Sequence, residues 1–257
     1  MPPTGRIREL IAAFKAEKIE KPRLYRGLMH HPSWRAPGGR GERGLELGVL
    51  KTPEGRILEI FSDAHALKVM EDRGEALSTR RVVLRGHEVF GAMPDVVDRI
   101  NIDPLSPHTF HFVGDQIPML RAWASIAALE EALQAPERLE DPVGMLARFE
   151  HFHVVVVGDG EPDEQHDFVL APDSHDRRLA AIFTSEDLAL EFIEALGVVE
   201  RKGQSAQLLV LRQAASALFP KIRAMGLEGM VFNPMTSLPP RALAPGLIDK
   251  ILERTRT

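Results

Sequence analysis

The chain has 257 residues, with 32 Lys and Arg against 37 Asp and Glu, and a formal net charge of −5. Hydrophobic residues make up 44% and charged residues 27%, the balance of a globular protein able to fill a core. There is no basic excess to favour a nucleic-acid partner and no cysteine for disulfides or thiol chemistry. No apolar run approaches the roughly 18 residues of a bilayer span.

The chain opens on Met1-Pro2-Pro3-Thr4-Gly5-Arg6 without the apolar centre of a signal peptide, which predicts a cytoplasmic protein with no membrane partner. Ile7, Leu10, Ile11 and Phe14 then recur at helical spacing and predict an amphipathic helix packed on its own domain. Leu24–Met29 reads as a second short helix, ended by Pro32. Trp34 and Pro37 lead into a glycine-rich stretch, Gly38-Gly39-Arg40-Gly41-Glu42-Arg43-Gly44. That stretch lacks the Lys-Ser/Thr of a phosphate loop and reads as a flexible linker. Leu45–Leu50 and Arg56–Phe61, separated by Thr52-Pro53-Glu54-Gly55, predict a hairpin. Ser62 or Asp63 suits the cap of a helix carrying Ala66, Leu67 and Met70, with Gly74 as its stop. Arg81–Leu84 and Ile100–Ile102 read as strands, His87–Met93 as a helical turn, and Ile117–Leu133 as a helix.

Further on, the valines of Phe152–Val157 fit a central strand. Phe168–Ala171, Leu179–Phe183, Leu208–Leu211 and Met230–Phe232 are further strand candidates. Thr184 with Asp187 resembles a capping box, opening a helix that carries Leu188, Phe192, Ile193 and Leu196 and stops at Gly197. Ala214–Met225 reads as helical despite Pro220, and Leu243–Leu252 as a last helix.

One signature occurs twice along this order. Ile60-Phe61-Ser62-Asp63 is matched by Ile182-Phe183-Thr184-Ser185, and Ile102-Asp103-Pro104 by Phe232-Asn233-Pro234. The second copy holds about eight more residues between its two signatures, best placed in a loop after Gly197. The duplication predicts an α+β protein of two tandem related domains, each a small mixed β-sheet packed with helices. The domains expected are 1–135 with the N-terminal helix and 149–257, joined by a linker at 136–148 marked by Pro136, Pro142 and charged residues.

These residues, with Trp34-Arg35-Ala36-Pro37, resemble the SseB family of bacterial proteins over about 20–130 and 150–253. The first copy departs from the pattern in carrying Asp103 where the family has Asn. The second has His151-Phe152-His153 in place of the tryptophan–proline pair. The resemblance implies no established reaction, cofactor or catalytic residue.

Site candidates are few. His151 and His153 would share a strand face and His108 and His111 a helical face, but neither pair makes the three or four converging ligands of a metal site. The acidic stretch Asp159, Glu161, Asp163 and Glu164 holds Pro162 and lacks the ligand order of a calcium loop, so it reads as a solvated loop. Serines such as Ser62 and Ser185 lack a nucleophile-elbow context. Asp103 and Asn233, placed where strands end, and Trp34 remain as candidate ligand- or partner-binding residues. A plain turn role competes, because Asp and Asn satisfy backbone groups locally. The expected function is a non-catalytic protein-binding or regulatory module with another protein as partner, no cofactor and no metal, and homodimerisation left open. The alternatives are a small-ligand binder at the inter-domain cleft, or a hydrolase or transferase with an unrecognised site.

Overall fold

The computed structural model describes residues 5–42, 44–72, 80–134, 141–158, 167–171, 177–197, 200–201, 204–205, 207–243 and 246–255. The helix stop at Gly74, the join residue Pro136 and the acidic stretch 159–164 lie outside them. The chain divides into two compact units, Met1–Ala128 and Leu129–Thr257.

The first unit runs α1 (Gly5–Lys15), α2 (Lys21–Met29), β1 (Trp34–Gly41), β2 (Gly44–Leu47), β3 (Leu50–Thr52), β4 (Gly55–Ile60), α3 (Ala64–Asp72), β5 (Arg81–Leu84), α4 (Gly86–Gly91), β6 (Arg99–Ile102), β7 (Phe110–Val113) and the start of α5 (Gln116–Gln134). Its strands form the orders β3-β4-β6-β7 and β2-β1-β5. Reciprocal backbone bonds of 2.9 Å between Arg35 and Phe61 tie the two together. β4 and β6 are parallel, with Ile60 beside Ile102, and the chain between them passes through α3, β5 and α4. Strand alternation sends Leu58, Ile60, Ile100 and Ile102 into the main core with Trp34, Phe90, Phe112 and the apolar faces of α1, α2, α4 and α5.

The second unit repeats this plan. After the last residues of α5 come α6 (Pro142–Arg148), β8 (Phe152–Val157), β9 (Asp167–Phe168), β10 (Leu170–Ala171), β11 (Leu179–Ile182), α7 (Glu186–Leu196), β12 (Glu200–Arg201), β13 (Gln204–Ser205), β14 (Leu208–Gln213), α8 (Ala215–Ala224), β15 (Gly229–Phe232), β16 (Arg241–Leu243) and α9 (Gly246–Thr255). The orders β10-β11-β15-β16 and β14-β8-β9 reproduce those of the first unit. The parallel pair is again in register, Ile182 beside Phe232, and His153 and Phe183 exchange the backbone bonds that Arg35 and Phe61 exchange in the first copy. The extra residues of the second copy form the β12–β13 hairpin between α7 and β14. The chain is therefore α+β, with one strand order used twice.

Several local expectations give way. Gly38–Gly41 extends β1 and pairs with β2. Gly38 holds φ +146°, and a Cβ there would collide with the Glu46 carbonyl, so glycine allows two backbones to close. His111 lies on strand β7 beside Asn101, so it shares no helical face with His108. Within the stretch read as a linker, Asp141 caps α6 by accepting from Gly144 N–H at 2.8 Å, and Leu146 is buried. Phe168–Ala171 is broken at Val169, and its halves join different sheets. Arg241–Leu243 is a strand, so the last helix starts three residues later than read.

The two copies differ most on the outer face of the parallel pair. In the second unit Val155, Ala181, Phe183 and Val231 meet Leu188 and Phe192 of α7 in a second core. In the first unit the matching positions of Ala181 and Val231 are Glu59, which is buried, and Asn101, which accepts from Arg99 Nε at 2.8 Å. Among the described residues, Phe61, Ala66 and Met70 with Leu67 form the apolar cluster there. Phe192→Ala is expected to cost about 3–5 kcal/mol, and Met70→Ala, at the matching position, only about 2 kcal/mol. Urea unfolding followed by residue-resolved hydrogen exchange checks the order of the two losses.

Candidate functional site

Each parallel pair ends in the same construction. In the first unit β4 delivers Phe61 and then Ser62, while β6 delivers Asp103 directly beside it. Asp103 adopts φ +45°, and its N–H donates to the Ile60 carbonyl at 2.9 Å, which ends the strand pairing. The Asp103 carboxylate accepts from Ser62 N–H at 2.7 Å through Oδ1 and from the Ser62 hydroxyl through Oδ2. Both residues are fully buried. Ser62 thus donates to Asp103, and Asp63 caps α3, accepting from Ala66 N–H at 2.8 Å.

In the second unit Asn233 takes φ +49° and donates its N–H to the Ile182 carbonyl at 2.8 Å. Its Oδ1 accepts from Thr184 N–H at 3.0 Å and its Nδ2 donates to Thr184 Oγ1 at 3.2 Å. Thr184 Oγ1 donates to Glu130 Oε1 at 2.8 Å, so the Thr184 hydroxyl does not cap α7. Ser185 holds the cap position of that helix.

The electrostatics of the two copies diverge. Asp103 brings a buried negative charge, and Arg8 of α1 answers it. The Arg8 guanidinium is 2.7 Å from Asp63 Oδ2 and its Nε is 3.7 Å from Asp103 Oδ2. Asn233 is neutral, and its neighbour through Thr184 is instead the buried acid Glu130. An amide here both accepts and donates, which a carboxylate cannot do.

Trp34 is fully buried and donates its indole N–H to the Leu28 carbonyl at 3.0 Å, with Phe90 edge-on at 6.2 Å. His31 stacks against Trp34 at 4.6 Å, and its Nε2–H donates to the Ser62 carbonyl at 2.9 Å. Burial pushes the His31 pKa below its ordinary value, against the opposing pull of the Ser62 carbonyl, Asp103 and Asp63. Asp103 and Trp34 thus meet one network through Ser62 and His31, and Asn233 has a network of its own. The side chains of all three candidates face the interior. Among the described residues no group of three His, Asp or Glu is placed to hold a metal ion.

Sequence reading missed the residues that do face solvent at this point. Two positions beyond Asp103 and Asn233, Leu105 sits at φ +63° with 39% exposure and Met235 at φ +52° with 45%. Pro104 and Pro234, between the left-handed residues, are buried. Neither Leu nor Met favours this conformation, so nothing in the residue types announces it. Ser106 N–H donates to the Asp103 carbonyl at 3.2 Å, and Thr236 Oγ1 to the Asn233 carbonyl at 3.0 Å. The same doubly left-handed turn is thereby closed in both copies.

Residues 7–119 match the family model of the SseB protein N-terminal domain. The first unit is similar to an SseB N-terminal domain. The match covers the first strand-end turn, and the second unit repeats the strand order and register of the first beyond the matched residues. No curated protein matches the chain in sequence. Among solved structures, Anabaena Tic22, described as a protein-transport protein, aligns over 81% of this chain and 87% of its own. At 11% identity and a TM-score of 0.19 that likeness settles neither fold nor function. No helix among the described residues is long and apolar enough to cross a membrane.

The strand-end turn and its repeat lead to two expected outcomes. Asn233→Asp removes the donor to Thr184 and adds a buried charge near Glu130. It is expected to lower stability at neutral pH by about 3–5 kcal/mol in urea unfolding, because a second carboxylate is buried beside Glu130 and the bond to Thr184 Oγ1 is lost. The pH dependence follows from His31, His87 and His153, whose pKa values burial lowers in each case. Their folded-state pKa lies below the unfolded one, so their contribution is complete above about pH 6.5 and is lost as pH falls below it. Thermal midpoints are expected to be level between about pH 7 and 8 and to decline below about 6.5, with a shallower decline in His153→Gln.

Proposed function

We propose that this protein is a non-catalytic module that binds another protein through its two strand-end turns, with Leu105 and Met235 as the apolar anchors. One observation carries the reading. The same pair of left-handed residues recurs in both units, and each time the second is a large apolar side chain exposed by about two fifths. A Leu or Met held at positive φ costs about 1 kcal/mol or more, and such strain persists where surrounding structure enforces it, commonly at binding sites. Asp103 and Asn233 then act indirectly. They consume their own polar groups to fix the turn and leave the apolar residue outward. Trp34 braces His31 behind the first turn.

The chemistry of the turns supports recognition over reaction. The paired polar groups, Ser62 with Asp103 and Thr184 with Asn233, are buried and bonded to each other. Ser62 Oγ donates to the Asp103 carboxylate, and both residues are fully buried, which keeps the hydroxyl out of a substrate's reach. The partner this favours offers an apolar pocket for a single projecting side chain, the usual form of a binding anchor.

The test is partner capture with the intact protein, followed by reconstitution with the purified partner. Leu105→Ser with Met235→Ser is expected to weaken that binary interaction at least tenfold while the unfolding midpoint stays unchanged or rises. Equal affinity of the double variant would overturn the reading.

A further inference from the structure

The first strand-end turn is gripped at both ends by one helix, and among the described residues the second is not. At its start, Arg8 of α1 faces Asp103 and pairs with Asp63 at the head of α3. At its finish, Lys15 of the same helix donates to the Thr109 carbonyl at 2.7 Å and lies over the Phe110 ring at 5.9 Å, while Phe14 meets Phe110 edge-on at 5.9 Å. Thr109 closes the loop from within by donating its hydroxyl to the Asp103 carbonyl at 2.9 Å. Residues 103–110, with Leu105 at their outer point, are thus spanned by contacts from the first and last turns of α1. In the second unit the comparable turn is fixed by the sheet-covering helix itself. Glu191 of α7 accepts from Ser237 N–H at 2.7 Å and from its hydroxyl at 3.1 Å.

The chemistry of Asp103 makes this grip conditional. A buried carboxylate needs a cation or it destabilises the turn that holds it. The amide at the same place in the second unit needs none. α1 is joined to the rest of its unit by one apolar face, Ile7, Leu10, Ile11 and Phe14, packed on the main core, and its opposite face is exposed. We propose that α1 is a latch on the first binding turn. Docked, it supplies the charge that keeps Asp103 in place and Leu105 presented; undocked, it releases residues 103–110. The substitution of Asp for Asn is what couples the turn to the helix. This inference deepens the partner-binding reading by assigning regulation to its first turn.

Hydrogen exchange on the full-length protein, measured without any partner, tests the latch separately from binding. The reporters are the amides of Ser62, Asp103, Ser106 and Thr109, with Asn233 and Thr184 as internal controls. Arg8→Met is expected to speed exchange at the four reporters at least tenfold and to leave the controls within twofold. In an Asp103→Asn background, which gives the first turn the residue of the second, the same Arg8→Met change is expected to speed them less than twofold. Equal acceleration in both backgrounds would show that α1 acts only by packing and would overturn the proposal. So would the absence of acceleration in the first background. Because no partner takes part, a latch that fails here leaves the double serine variant to judge the binding reading on its own, and the reverse holds too.

Discussion

A side chain at the end of one parallel strand reaching across to the backbone N–H of the next loop is the interaction on which each unit rests. β4 and β6, like β11 and β15, lie side by side but are far apart in sequence, and parallel strands receive no help from a tight turn. Asp103 on Ser62 and Asn233 on Thr184 close that pair at the point where the strand hydrogen bonds run out. With the pair in register, the residues after it are fixed as well. The chain leaves Ser62 or Thr184 into a helix and leaves Asp103 or Asn233 into a left-handed turn. Loss of the bond would strand a buried N–H and a buried acid or amide together, a cost of about 1–3 kcal/mol for each neutral group.

That one bond explains why the duplicated residues are what they are. Phe61 and Phe183 sit on the sheet's outer face, where they begin the cluster under α3 or α7. The hydroxyl residue must be small and able to donate. The residue before proline must tolerate a left-handed backbone, which Asp and Asn do better than most. The proline then fixes the exit direction. None of these roles needs a substrate.

Much of this was legible beforehand. Strand candidates such as Phe152–Val157 and Arg81–Leu84 match their observed bounds, because continuous β-branched runs bounded by turn residues admit few other readings. The repeat itself disclosed the strand order once a single copy was known. What stayed hidden has physical causes. Gly38–Gly41 looks like a linker because glycine composition reports conformational freedom, whereas here that freedom serves a close strand pairing. Arg8 and Glu130 look like ordinary helix charges, and only three-dimensional proximity shows one facing Asp103 and the other Thr184. Leu105 and Met235 were invisible because their backbone angle is imposed by neighbours rather than by their own preference. The polar outer face of the first copy, Glu59 and Asn101 against Ala181 and Val231, breaks the alternation that marks a sheet covered on both sides.

The unlike surroundings of the two grips also bear on how such a chain avoids tangling with itself. Neighbouring domains of shared ancestry can trade equivalent strands while they assemble, a recurrent failure of tandem proteins. Here a crossed pairing of β6 with β11 would carry the Asp103 carboxylate to the Thr184 hydroxyl that Glu130 already occupies, setting two acids on one proton. The reciprocal exchange would hand Arg8 a neutral amide. Divergence at a single position therefore gives each strand end a polar partner suited to its own unit, Arg8 beside the acid and Thr184 beside the amide.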